Sequence, residues 1–578
     1  MDPGIDSLSE LARAKLPDFN RLRSEARGLA RQVDIGRTAF MQKFGVESEL
    51  EYKRQAMQGG QIMYHAHVGM NDIDSTATAL SKMNRVLADE GFMLDRAGFA
   101  IDRRMGLPPE RRDQVAAETG PMLALHSDWD ALAQSAPIQP HLGDFMIGQP
   151  ASVANTLQAL RIGCTTIGNL SQYFTFEAPG WTDAGETAAQ TYQAMVLLSE
   201  FRDRGAMLHS YLEDGYGALF RQCATVAAWA MLERYIVEEL IGARLSHCIG
   251  GLTSDPVKRA GWVLALHQIH QGQQVGSMIY GDTISFGQAF EQNRALTAEY
   301  LLWDILIQLH APSGHAVLPL PVTEAIRIPS ADEIIEAQLF GRRVEASARR
   351  LYPHVDFSAA QAFADNICRQ GSDIYRQALD GLRDIGVDIA NPLQMLFVLK
   401  KMGPQRFEQL FAAGLDPCES IETDIYAMAQ DVVAAHRPMF ADAGLRKRVA
   451  GKCFVIASSD VHQHAAGALA QLLGETDARV IYLGAEQNPA DLVAALARQP
   501  ADAILLSTHN GMALEYAQQL KKLLQEADIS LPVIIGGVLN QKTEGQPLPV
   551  PVVEELKALG MVPATALPAI ARLLEFDS

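Results

Sequence analysis

Cysteine is scarce in this chain. The six cysteines, at positions 164, 223, 248, 368, 418 and 453, are scattered and form no CxxC pair. That argues against zinc ribbons, iron–sulfur clusters, a disulfide framework and an intrinsic radical-SAM domain, and it suits a reducing cytoplasm. Positive charge is also in deficit. There are 49 Lys and Arg against 68 Asp and Glu, a formal net charge of −19, which argues against a nucleic-acid or anionic-membrane partner. No apolar run reaches the roughly 18 to 20 residues of a membrane helix. The first 25 residues carry mixed charges and no signal-peptide core. Neither a GxGxxG fingerprint nor a Walker A loop is found.

What is present is ordinary soluble-protein material, 48% apolar and 20% charged over 578 residues, enough for two to four domains. Residues 1–58 read as an N-terminal helical extension or interface arm, and a homodimer is expected from it. Gly59-Gly60 ends that region. Short apolar runs then alternate with helical patterns, which is the texture of repeated β/α units. The expected strands are 61–68, 93–101, 121–126, 137–147, 164–168, 206–212, 245–249, 275–280 and 316–320. The expected helices include 151–161, 187–204, 218–241, 256–271 and 286–310. This repetition over residues 59–328 points to a (β/α)8 TIM-type barrel serving as a substrate domain.

Polar residues gather where those strands end, the rim at which such a barrel builds its site. Among them are His65, His67, His141, Asn169, His209, Glu213 and Tyr280. On a strand, His65 and His67 face the same side. Such a pair can begin a metal site or hydrogen-bond a substrate, and the second is the stronger reading. Residues 329–448 read as a helical connecting region broken at Pro392 and Pro404.

Residues 449–578 are the clearest unit. Strands at 453–457, 480–483, 503–506, 532–535 and 561–562 alternate with helices at 465–473, 489–497, 512–527 and 552–559, a flavodoxin-like doubly wound sheet. After its first strand comes Asp460-Val461-His462. There one imidazole nitrogen can ligate a metal while a carboxylate holds the other. His464 reads as the start of the following helix.

These residues carry a likeness. The unit resembles the cobalamin-binding domain of B12-dependent mutases and methionine synthase. The family pattern is Asp-x-His-x-x-Gly, then Ser-x-Leu after the third strand, then Gly-Gly after the fourth. Here stand Asp460-Val-His462-Gln-His-Ala465, Ser507-Thr-His509 and Gly536-Gly537, with Tyr482-Leu483-Gly484 after the second strand. Ala465 replaces the motif glycine and His509 the leucine. The resemblance implies that His462 ligates the cobalt of cobalamin from below, displacing dimethylbenzimidazole, with Asp460 on its far nitrogen. It implies that Ser507 meets the nucleotide tail, near His509, and that Gly536 and Gly537 let backbone approach that tail.

Residues 137–345 resemble the barrel subunit of glutamate mutase, through Gly148-Gln-Pro150, Gly168-Asn-Leu-Ser-Gln172 and Leu208-His-Ser-Tyr-Leu212. The family's carboxylate-clamping arginines do not carry over. His65-Ala-His67 stands at the first strand, and Gln139 and His141 at the fourth. The likeness therefore implies an adenosylcobalamin-dependent radical carbon-skeleton mutase acting on a small acid other than glutamate. His65, His67, His141, Asn169, His209, Glu213 and Tyr280 would orient the substrate, with Glu213 or a histidine as a possible proton shuttle. The alternatives are a methylcobalamin-dependent methyltransferase and a cobalamin carrier or sensor without chemistry.

Overall fold

The structure, a computed structural model, describes residues 9–115, 120–273, 275–459, 464–484, 487–509, 511–541 and 549–574. The chain divides into two compact units, Met1–Val322 with Pro329–Asp424, and Thr323–Ile328 with Ile425–Ser578. Among the described residues no helix is long and apolar enough to cross a membrane.

Unit one is built on eight short strands: β1 (His65–Val68), β2 (Arg96–Phe99), β3 (Gln139–His141), β4 (Thr166–Ile167), β5 (Met207–Tyr211), β6 (Leu245–Cys248), β7 (Met278–Ile279) and β8 (Ala316–Val317). They pair in parallel as β1-β2-β3, β4-β5-β6 and β7-β8. Single parallel bridges, Leu142 to Ile167, Ile249 to Ile279 and Tyr64 to Val317, link one set to the next. Each strand thus meets its successor, and the last meets the first. Helices fill the connections, as parallel pairing requires. One is Ile73–Asp89, which starts where Asp72 accepts the Ser75 N–H and buries Ala79, Leu80, Met83 and Leu87 on one face.

Three expectations change here. Residues 121–126 form no strand. β2 and β3 pair directly, Arg96 beside Gln139, which leaves no slot between them. His126 instead opens the helix His126–Gln134, and Asp128 accepts the Leu125 N–H. Residues 1–58 are not an arm. Their helices pack into unit one, where the buried Lys53 Nζ donates to the carbonyls of Gly276, Ser277 and Gly314 at 2.8, 2.8 and 2.6 Å. Tyr52 and the Tyr64 N–H both donate to Asp95. Nor is 329–448 one connecting layer. Helices Ala331–Leu351, Ser358–Asp384, Pro392–Met402 and Pro404–Phe411 bury Ile334, Phe363, Leu382, Leu396 and Phe407 in the core of unit one. Val433, Phe440, Leu445 and Val449 join a core of unit two.

Unit two contains β9 (Cys453–Ser458), β10 (Arg479–Gly484), β11 (Ala503–Thr508), β12 (Val533–Gly537), a small antiparallel pair β13 (Asn540–Gln541) and β14 (Val550–Pro551), and β15 (Val562–Pro563). The main sheet is parallel, in the order β10-β9-β11-β12-β15. Alternate residues serve opposite faces. Phe454, Ile456 and Leu505 join one core, and Val455, Ala457, Ile504 and Leu506 the other. That is why the strands read as unbroken apolar runs. This is the flavodoxin-like arrangement expected for the segment.

Lys53→Met should lower the stability of the chain by about 3 kcal/mol in urea unfolding, because three buried carbonyls lose their donor together.

Candidate functional site

In an open sheet of order 2-1-3-4-5 the chain turns to opposite sides after the strands that lie first and third in sequence, leaving a crevice at their carboxyl ends. In unit two those strands are β9 and β11. Ser458, Ser507 and Gly536 lie side by side in register. The edge is laced by Ser459 N–H to Ser507 O at 2.9 Å and Val538 N–H to Thr508 O at 2.8 Å. The Ser507 hydroxyl is buried, and among the described residues its Oγ has no hydrogen-bond partner. A buried unsatisfied hydroxyl at a topological switch point is what a polar ligand would relieve.

Gly536 and Gly537 have a different cause from the one expected. A Cβ on Gly536 would lie 2.5 Å from Ala564 O, and one on Gly537 would lie 2.2 Å from Thr508 O. Gly537 also has φ +89°. The protein's own backbone, rather than a ligand, demands these glycines. Tyr482 is 40% exposed, Leu483 is partly buried against a core, and Gly484 has φ +90° where the β9–β10 register shifts. A Cβ on Gly537 would also lie 3.1 Å from His509 Cε1, which puts that ring beside the glycine pair. Asp460 and His462 lie outside the described residues. The helix expected after them runs from His464 to Gly474.

Unit one holds a second polar constellation. The His65 and His67 rings are 5.1 Å apart, His65 and His141 5.8 Å, and His141 and His209 4.6 Å. Glycines leave room for them: a Cβ on Gly98 would meet His65 Nε2 at 2.9 Å, one on Gly143 His141 Nε2 at 2.8 Å, and one on Gly168 His209 Cδ2 at 2.6 Å. Arg96, fully buried, donates from Nη2 to His141 Nδ1 at 2.6 Å and to Ser277 Oγ at 2.9 Å. A guanidinium has only donors, so His141 Nδ1 accepts and its proton sits on Nε2. Ser277 Oγ lies 2.8 Å from His209 Nδ1. Arg96 Nε is 3.1 Å from Glu49 Oε1, and Lys53 Nζ 3.6 Å from the same oxygen. His67 Nδ1 and Tyr280 Oη share a hydrogen bond of 3.1 Å, and Tyr280 stacks on Tyr211 with ring centroids 5.0 Å apart.

Burial, reinforced by the Arg96 charge, holds these imidazoles neutral. His67 is lowered to about 4, and His65, His141 and His209 lie well below the usual histidine range. None is poised near neutrality, so none suits the expected shuttle. Glu213 is raised by burial, and both its oxygens are occupied, by the Gly250 N–H at 2.5 Å and the Thr253 hydroxyl at 2.6 Å. It holds the segment after β6. Asn169 caps helix Leu170–Thr175, accepting from the Ser171 and Tyr211 N–H groups and donating to Asp214 at 2.8 Å. Among the described residues no group of three or more His, Cys, Asp or Glu side chains is arranged to hold a metal ion.

Residues 454–548 match the family model of the B12 binding domain. The match covers the strand edge just described and supports cobalamin binding by unit two. Among solved structures, a novel cobalamin-binding protein from Desulfitobacterium hafniense DCB-2 is similar at 18% identity over 35% of this chain and 88% of that one. Its TM-score of 0.18 is too low to carry an argument. No curated protein matches the chain.

The sequence reading found the four imidazoles and missed what governs them, Glu49, Lys53, Arg96 and Ser277. It also missed the buried chain behind β5 and β6. There Ser171 Oγ meets Ser210 Oγ at 2.8 Å, Ser210 donates to Glu233 at 2.7 Å, and Glu233 also meets His247, which meets His270 at 2.9 Å. A charge inside the apolar run around Arg96 was the available signal.

Six imidazoles, five of them buried and His67 half-buried, carry lowered values: His65, His67, His141, His209, His270 and His315. They are neutral in the fold and protonated in the unfolded chain below about 6.5, so their contribution to stability is lost as pH falls from about 6.5 to 4. Asp95, raised to about 6 by burial, acts in the opposite sense. His67→Gln should flatten the slope of unfolding free energy against pH in that window by up to ~1 kcal/mol per pH unit, read from denaturant midpoints.

Proposed function

We propose that the chain is an adenosylcobalamin-dependent carbon-skeleton mutase. The observation that carries this reading is the presence in one chain of two things. One is the B12-binding segment with its unsatisfied Ser507 hydroxyl. The other is a unit whose interior gathers buried neutral imidazoles, an arginine and paired tyrosines. A carrier or sensor needs the first and has no use for the second. The strand-by-strand parallel pairing, with a bridge from Tyr64 to Val317, supports reading unit one as a TIM-type (β/α)8 barrel.

In this reading His462 would ligate the cobalt, Asp460 would orient that imidazole, and Ser507 would bond the nucleotide tail. Adenosylcobalamin, when bound, supplies a carbon radical by homolysis of its cobalt–carbon bond. The residues of unit one then hold the substrate. The Nε2–H of His141 and the nitrogens of His65 offer hydrogen bonds. Tyr280 and His67 brace each other, and the close-packed interior excludes water.

The methyltransferase alternative rests on a compact helical cap just before the cobalamin domain. The helices that would form it are divided, since Pro392–Met402 and Pro404–Phe411 pack into unit one while Val433 and Phe440 belong to unit two. That weighs against it.

Reconstitution of the purified chain with adenosylcobalamin should give the spectrum of a histidine-ligated, base-off cofactor, and His462→Ala should abolish it. An unchanged spectrum in that variant would sink the ligand assignment. Ser507→Ala should weaken cobalamin binding by about threefold to tenfold in equilibrium dialysis, the worth of one buried hydrogen bond. An EPR signal that appears under anaerobic conditions only when substrate is added supports the mutase. Methyl transfer from methylcobalamin in its place would favour the alternative.

A further inference from the structure

The constellation in unit one sets its basic groups against buried carboxylates. Arg96 and Lys53, the latter lowered by burial to about 7, face Glu49 and Asp95. Lys53 spends its donors on three carbonyls. Arg96 has Glu49 3.1 Å from Nε and its Nη2 on His141 and Ser277. Within this cluster both basic groups are thus engaged, and the imidazoles are neutral. Hydrogen-bonding capacity does remain. His65 is 0% exposed with neither ring nitrogen bonded, and His141, 1% exposed, has an unbonded Nε2–H. The two rings pack against Gly98 and Gly143, with their centroids 5.8 Å apart. Buried polar atoms are almost always satisfied; here three imidazole nitrogens, both Glu49 oxygens and Arg96 Nε lack a hydrogen bond, and the imidazole nitrogens are those that an uncharged ligand would satisfy.

We propose that Glu49 is a specificity-determining residue: by cancelling the charge of Arg96 in place, it makes the His65–His67–His141–His209 cluster a site for an uncharged hydrogen-bonding group, such as a carbonyl, hydroxyl or amide, and not for a carboxylate. This deepens the reading that the interior of unit one holds the substrate. A carboxylate buried there would lack a counter-ion, which is strongly unfavourable. A neutral group can accept from His141 Nε2–H and exchange hydrogen bonds with His65, each of whose nitrogens takes one role. The substrate's reacting end is then a neutral carbonyl or hydroxyl, and any carboxylate it bears lies away from this cluster.

The test uses the full chain, without added cobalamin, with histidines labelled at 13Cε1. Propionamide and propionate have nearly the same shape and differ in charge. In the wild type, propionamide should shift the resonances of His65 and His141, and propionate should bind at least about tenfold more weakly. Glu49→Gln uncovers the Arg96 charge and should shift that ratio toward propionate by about tenfold or more. Should that variant not fold, Glu49→Gln combined with Arg96→Gln restores neutrality and should keep the wild-type preference. Wild-type binding of propionate as tight as that of propionamide overturns the proposal, as does an unchanged ratio in folded Glu49→Gln. If neither probe moves these resonances, the proposal falls together with the reading of a substrate site here. If propionate wins, the site stands and only its charge selectivity is wrong.

Discussion

A buried charge must be paired, and in unit one the Glu49–Arg96 pair meets that requirement beside the histidine cluster, as Arg259–Asp304 does elsewhere in the interior. Neither residue is more than 1% exposed. A lone guanidinium at that depth would be strongly destabilising, and so would a lone carboxylate. Their pairing ties helix Glu49–Gln58 to β2, and through His141 and Ser277 it reaches β3 and the segment entering β7. The helix is thereby part of the core. Burial first, and the Arg96 guanidinium second, keep the neighbouring imidazoles unprotonated. If the interior holds the substrate as proposed, the network that stabilises the unit would also set what it binds, namely groups that exchange hydrogen bonds with neutral rings.

Unit two follows a different constraint. A parallel sheet buried on both faces has only its carboxyl edge for chemistry, and the crevice there opens where the chain changes sides. β9 and β11 flank that point, and Ser507 stands on it. Gly536 and Gly537 lie at the same edge for a packing reason, because Ala564 O and Thr508 O occupy the volume a side chain would take. A glycine pair at this position is needed by the domain with or without a ligand. The case for cobalamin therefore rests on Ser507, on the family match and on the Asp460-Val-His462 sequence, and owes little to the glycines.

Legibility in the sequence tracked burial pattern. The strands of unit two were readable because both faces are buried, and each appears as a run such as Cys453–Ser458 with a helix after it. In unit one the rim imidazoles were readable as polar residues interrupting apolar runs. Residues 121–126 misled because an apolar run before a helix has the same composition whether or not a slot exists in the sheet, and direct pairing of Arg96 with Gln139 closes that slot. Glu49 and Lys53 were invisible for another reason. An i,i+4 Glu–Lys pair on a polar helix normally marks a solvated face, and only the fold turns that face inward.

The same limit applies to the arginines of the mutase likeness. At β1 and β3 histidines stand in the positions where that likeness calls for arginine. Arg96 on β2 supplies a guanidinium next to His141, so the capacity is present. What removes it is Glu49, which comes from a helix outside the strand series. Substrate charge in such an interior is therefore governed by the net balance of the buried set, and counting arginines along the strands does not reveal it.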